Sequence, residues 1–326
     1  MPVRLMSFDI GVGAISSDLF TGSSPVVAGI AKGGTRVKAT FETDLQYIDI
    51  DDGGTGTTDP TGILMLHDLI MGATTYGTYQ VASTTGGAPP YIHTFQNKNT
   101  LNSATMEFVD GKPGGSNVCL LLTGCKVDEA VWSWGWSYDG KENIPTLRVT
   151  VVGKLVTPSA TPTPALAQQT YDGLVSTHCT FADGLVSPAT TGYFKAKLTC
   201  KNNVYQEGFS SLSGYITEPI RLSNLDAEWE FEGDYDSMTA ITSFINQSAS
   251  AAAITAAFTK PSPSGTGTAY TLSTASGKAK MSGHAHEVTQ GAPVRQTVKW
   301  RPFKDANGSA FSVAVACGAN CPITQG

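Results

Sequence analysis

The sequence predicts a mainly β protein, a β-sandwich or barrel with a flanking helix, duplicated in tandem. Three observations predict it. Apolar and polar residues alternate in two well-separated runs, the period of a half-buried strand. Only 15% of the 326 residues are Asp, Glu, Lys or Arg, against roughly 25% in an average soluble domain, while Gly (35) and Pro (17) are frequent. That is the composition of strands joined by polar loops. Finally, the order strand, helix, hairpin occurs twice along the chain.

The N-terminal stretch MPVRLMSFDIGVGAISS has one early Arg4 and no continuous apolar run. It makes a poor secretory signal, so synthesis in the cytoplasm is expected. The first alternation sets Val37, Ala39, Phe41, Leu45 and Tyr47 against Arg36, Lys38, Thr40, Glu42, Asp44 and Gln46. A Gly/Thr/Asp loop (51–62) follows, and Asp59-Pro60-Thr61 is a start signal for a helix over 62–73. TGCKVDEAVWSWGWSY and IPTLRVTVVGKLV then read as a hairpin turning at Asp139-Gly140.

Pro158, Pro162 and Pro164 forbid a central strand across 157–169 and make that stretch a linker. It separates a first β domain (1–156) from a second (170–305), followed by a C-terminal tail (306–326). In the second domain Leu225, Ala227, Trp229 and Phe231 alternate with Asp226, Glu228, Glu230 and Glu232. A helix-compatible stretch spans 237–258, with Asp236 or Ser237 as N-cap. SGKAKMSGHAHEV and APVRQTVKWRPF then form a second hairpin, turning near Gln290-Gly291.

No catalytic or cofactor signature emerges. The chain has no P-loop, no His-Glu-x-x-His helix and no Gly-x-Ser-x-Gly elbow. The net charge of −6 argues against a phosphate-binding surface. No apolar run is long enough to span a membrane. The six cysteines, Cys119, Cys125, Cys179, Cys200, Cys317 and Cys321, contain no Cys-x-x-Cys pair and read as reduced thiols. His67 sits in an apolar stretch and reads as packing. His284 and His286 share a strand face without a third ligand, and the Asp49, Asp51, Asp52 and Asp59 loop lacks calcium-loop spacing. No metal and no cofactor are expected.

Two features bear on function. Trp132, Trp134, Trp136 and Tyr138 line one face of one strand, as core or inter-subunit packing, with a sugar-stacking surface as the alternative. Asp226, Glu228, Glu230, Glu232, Asp234 and Asp236 share one strand face if Gly233 does not bulge it. Such a face is either plain solvent surface or a surface that repels polyanions.

LNSATMEF (101–108), TGCKVDEAVWSWGW (123–136), IPTLRVTVVGK (144–154), NLDAEWEFEGDYD (224–236) and QGAPVRQTVKWRPF (290–303) resemble the tail tube protein of long-tailed, siphovirus-like bacteriophages. The resemblance implies a non-enzymatic virion protein with the tail-tube fold, made in the host cytoplasm. It would polymerise with itself as stacked rings into a hollow conduit for DNA. A trimer with pseudo-sixfold symmetry suits two fused tube domains, and a hexamer suits one elaborated domain. The implied partners are the tape measure, terminator and distal tail proteins, with DNA in transient, non-specific passage. On this reading Glu42, Asp44, Glu228, Glu230 and Glu232 face the lumen. The alternative is a self-assembling or carbohydrate-binding β-sandwich decoration using the tryptophan stripe.

Overall fold

Period-two burial organises the chain. In the computed structural model, which describes residues 4–17, 29–48, 62–72, 91–97, 100–110, 118–136, 144–159, 171–182, 193–205, 219–234, 238–246, 253–259, 268–275, 277–288, 290, 294–304 and 309–317, almost every element is a strand. In chain order the strands are β1 (Arg4–Ser17), β2 (Gly29–Asp44), β3 (Gln46–Ile48), β4 (Tyr91–Gln96), β5 (Ala104–Asp110), β6 (Val118–Gly135), β7 (Thr146–Gly153), β8 (Leu155–Ser159), β9 (Tyr171–Gly173), β10 (Cys179–Ala182), β11 (Tyr193–Lys201), β12 (Val204–Tyr205), β13 (Ile220–Arg221), β14 (Asp226–Asp234), β15 (Ile254–Thr259), β16 (Thr268–Thr274), β17 (Ala279–Glu287), β18 (Arg295–Pro302) and β19 (Ser312–Cys317). The helices are α1 (Gly62–Met71) and α2 (Thr239–Asn246).

The larger sheet runs β1-β2-β7-β6-β11-β14-β18-β17, with β5 and β8 on the N-terminal part of β6. Its neighbours along this path are antiparallel. The path has an internal regularity. The first four strands stand in the order first, second, last, penultimate, and the next four repeat that order. β6 and β17, in matching places, each carry a bulge, at Asp128 and Ser282. Asp128 is held there by two amides: Asn202 N–H donates to its carbonyl (2.7 Å) and Val204 N–H to its carboxylate (2.9 Å).

The second sheet runs β10-β15-β16-β19-β3-β9, with β4 also on β19. The chain passes between sheets at Leu45, whose N–H bonds Pro145 O (2.8 Å) and whose carbonyl accepts from Leu174 N–H (3.0 Å). Inner faces of both sheets meet in one core. Trp132, Trp134, Trp229, Phe231 and Trp300 come from the larger sheet. Phe95, Phe181, Phe258, Tyr270 and Phe311 come from the second sheet and the segments beside it. Trp134 meets Trp229 and Phe258 edge-on (6.2 and 5.7 Å between centroids), the geometry that suits ring quadrupoles. α1 buries Ile63, Leu64, Leu66, His67, Leu69, Ile70 and Met71 against this core and exposes Met65.

Several expectations change here. The helix over 237–258 is shorter, and Ile254–Thr259 is strand β15, because buried Ile254, Ala256 and Phe258 alternate with half-buried Thr255 and Ala257. The 306–326 segment contains β19, whose Val313, Val315 and Ala316 are buried between β16 and β4. The segment 157–169 begins inside β8, which pairs with β6 as far as Ser159. Gly233 leaves β14 straight, and the register irregularity falls at Phe194 in β11. The turn at Asp139-Gly140, the 51–61 loop, Asp236 and Cys321 lie outside the described residues. Among the described cysteines, Cys119, Cys125 and Cys200 are buried and unbridged, and burial pushes the Cys125 and Cys200 thiols up to about 12.

Candidate functional site

The solvent face of the larger sheet carries the chemistry. Alternation in β14 sends Ala227, Trp229 and Phe231 into the core and Asp226, Glu228, Glu230, Glu232 and Asp234 outward. Its neighbours are basic on the same face. β11 presents Lys195, Lys197 and Lys201, and β18 presents Arg295, Lys299 and Arg301. Six cations thus flank five carboxylates.

Four of the five carboxylates, Asp226, Glu228, Glu230 and Glu232, are paired across the strands. Arg301 reaches Asp226 (2.6 Å), and Lys299 bridges Glu228 (3.4 Å) and Glu230 (2.8 Å). Lys197 also reaches Glu230 (3.0 Å), and Arg295 reaches Glu232 (3.4 Å). Partial burial alone would raise the Glu230 carboxyl, but the hydrogen bonds and charges of Lys299 and Lys197 outweigh it and hold it below the usual range. Arg4 of β1 pairs Asp44 of β2 (2.5 Å) and lies 3.9 Å from Glu42. Pairs this exposed contribute about 0–1 kcal/mol each. Their effect is to cancel charge locally rather than to stabilise the fold.

Between the two acidic strands the face is recessed. On β6, Ser133 lines a concavity of about 510 Å³, and Glu129 and Val131 line a second of about 350 Å³. The larger brings Arg4, Glu42, Lys195, Lys197, Glu230 and Glu232 together. The smaller holds Glu228, Arg148 and Lys201. Four of the five expected lumen carboxylates therefore line one continuous charged face, and Asp44 joins it through Arg4. The cations were legible in KAKLTCK and RQTVKWR as period-two runs. What one strand's sequence does not contain is the identity of its neighbours, so the acidic strand read as bare.

The aromatic stripe faces the other way. Trp132 and Trp134 are buried and Trp136 packs against the core, while Tyr138 lies outside the described residues. Trp132 and Trp134 thus offer no surface for stacking on a sugar. Trp132 instead begins a buried polar chain. Its Nε1–H donates to Tyr270 Oη (2.7 Å), Tyr270 donates to His67 Nε2, and His67 Nδ1–H donates to Ile63 O (2.6 Å). Every polar atom of that chain has its partner, so it joins α1 and both sheets at no unsatisfied cost. Burial lowers the His67 pKa to about 4, partly offset by the Ile63 bond. The imidazole is neutral, sealed from solvent and structural.

His284 and His286 have ring centroids 6.0 Å apart, and His284 Nε2 lies 3.4 Å from Gln296 Oε1. Among the described residues no three His, Cys, Asp or Glu side chains group to hold a metal, and no helix is long and apolar enough to cross a membrane.

The family model described as phage tail tube protein matches residues 12–302. No curated protein matches the chain.

Proposed function

We infer the function from one premise: the chain belongs to the phage tail tube protein family and is a structural, non-enzymatic component of the virion tail, where the family self-assembles into a tube. From it we propose that copies of this chain close into rings and that stacked rings form the conduit through which DNA is delivered. The observation that carries the proposal is the larger sheet, which among the described strands runs eight strands from β1 to β17 with an edge strand at either end. An open sheet this long is an aggregation hazard unless its edges are covered, and ring closure covers them.

The repeated strand order supports a tandem duplication of the tube motif, with one copy in residues 1–156 and one in 170–305. Two motifs per chain favour a trimeric ring with pseudo-sixfold symmetry over a hexamer. In such a ring the charged face of the larger sheet lines the lumen, with Glu42, Asp44, Glu228, Glu230 and Glu232 toward the DNA. The physical rationale is charge cancellation. A basic lumen would hold phosphates by releasing counterions. Carboxylates set between lysine and arginine strands remove that attraction, so a duplex slides. The tape measure, terminator and distal tail proteins are the expected partners within the tail, and assembly takes place in the host cytoplasm.

Negative-stain microscopy of purified protein tests this reading. Rings or hollow tubes are expected, and ring mass distinguishes three chains from six. A stable monomer that never polymerises would refute it.

A further inference from the structure

The molecule contains, inside one chain, a finished example of the contact its two edges lack. β6 ends the first four-strand run and β11 begins the second, and they pair antiparallel with Lys201↔Glu129, Cys200↔Ala130, Thr199↔Val131, Leu198↔Trp132 and Lys197↔Ser133. β17 ends the second run and β1 begins the first. Among the described strands β17 pairs with β18 alone and β1 with β2 alone.

The registers map one junction onto the other. Val151↔Val127 and Thr150↔Glu129 flank the Asp128 bulge, and Trp300↔Met281 and Lys299↔Gly283 flank the Ser282 bulge. Ala130, Val131, Trp132 and Ser133 therefore correspond to His284, Ala285, His286 and Glu287. Phe41 and Phe231 also correspond, since each sits opposite a valine of its run's last strand (Val149, Val298). Through them Ser7, Phe8, Asp9 and Ile10 correspond to Lys197, Leu198, Thr199 and Cys200.

We propose that a second copy of this chain docks its β1 edge on β17 in the register of the internal β6–β11 junction, pairing Ser7 with Glu287, Phe8 with His286, Asp9 with Ala285 and Ile10 with His284. The pleat agrees. Phe8 and Ile10 pair with buried Ala39 and Val37, and His286 and His284 with buried Gln296 and Val298, so all four seam residues lie on the core side. That side is under-covered at both ends of the sheet. Ile10 is 42% exposed and Val288, which directly follows β17, is 71% exposed, whereas Cys200 and Trp134, at the matching places on the β11 and β6 side, are buried. Seam closure extends the core across the boundary. The inference rests on the tube reading and adds the strand register to it.

Cysteine pairs test the register on assembled protein. Asp9→Cys with Ala285→Cys places both thiols on the solvent face directly opposite one another. Asp9→Cys with Gly283→Cys and Asp9→Cys with Glu287→Cys are the shifted pairs. The nearest atoms to a Cβ at Gly283 belong to the Lys299 side chain, at 3.5 Å and beyond, an ordinary van der Waals contact, so that variant should be tolerated. Under mild oxidation the direct pair should give covalent oligomers on a denaturing gel on the order of tenfold faster than the shifted pairs, because diagonal Cβ atoms sit about 7 Å apart and strain a disulfide. The parent chain controls for native thiols. Rings seen by microscopy with a shifted pair reacting fastest, or with no pair reacting, would overturn the register while leaving the tube reading intact. Absence of rings in the parent chain would overturn both.

Discussion

The two four-strand runs of the larger sheet follow the same path with different chemistry. Thr40 and Thr150 share a hydroxyl hydrogen bond (3.0 Å) in the first run, and their counterparts in the second are Glu230 and Lys299, an ion pair (2.8 Å). Arg36 and Lys38 become Asp226 and Glu228, while Glu42 and Asp44 become Glu232 and Asp234. On the core side Phe41 becomes Phe231, and Ala39 becomes Trp229. In β2 and β14 apolar character is kept at these inner positions, Val37, Ala39 and Phe41 against Ala227, Trp229 and Phe231, because packing enforces it. Charge is free to differ on the outer face because cross-strand pairs there contribute little to stability. What the outer face keeps is near-neutrality, as the proposed contact with a passing polyanion requires.

Separating the runs should produce the largest effect. The larger sheet divides cleanly between β6 and β11, but the second sheet does not. β19, the C-terminal strand, pairs with β4 and meets β3, both from the first half. Chain fragments 1–159 and 170–326, expressed singly, should fail to fold, whereas co-expressed fragments should reassemble. Circular dichroism and cooperative melting of each fragment provide the check. Two independently folded halves would mean the second sheet is dispensable.

The strands of the larger sheet were legible because alternation survives in residues 36–44 and 226–234, where one face is dry and the other wet. α1 was legible for a similar reason, as a short apolar stretch behind a proline start signal. Three things were not. β15 lay hidden in an alanine-rich stretch whose helix propensity is high, and pairing with β10 and β16 overrode it. β19 follows a polar segment, and one of its two partners, β4, lies more than 200 positions away. The acidic strand's cations sit in other strands, so charge balance is a property of the sheet and not of any segment.

A second contrast lies in the helices. α1 is pinned by the neutral His67, and α2 has no titratable side chain at all. An unfolded histidine titrates near 6.5, and His67 in the fold near 4. Between those values the unfolded chain binds a proton that the folded chain refuses. Stability should therefore fall as pH drops from about 6.5 to about 4, by about 3 kcal/mol in total, and this contribution should level off below about 4. Denaturant midpoints across that range, compared with a His67→Gln variant, provide the test. Identical slopes for both proteins would contradict it.

The smallest effect on stability should accompany the most informative change on the charged face. Glu230→Thr with Lys299→Thr writes the first run's hydrogen bond into the second, and should alter stability by less than about 1 kcal/mol because the pair is partly exposed. It removes one charge of each sign, so the face stays balanced. The triple change Glu228→Gln, Glu230→Gln and Glu232→Gln is nearly isosteric, yet it leaves Lys197, Arg295 and Lys299 uncompensated in every subunit. If this face lines the lumen, particles built with the double variant should eject DNA at the parental rate. Particles with the triple variant should eject more slowly at low salt and recover as salt screens the phosphates. The double variant holds packing loss as a control, so slow ejection confined to the triple variant isolates net charge as the cause. Equal, salt-independent ejection by both would remove this face from the DNA path.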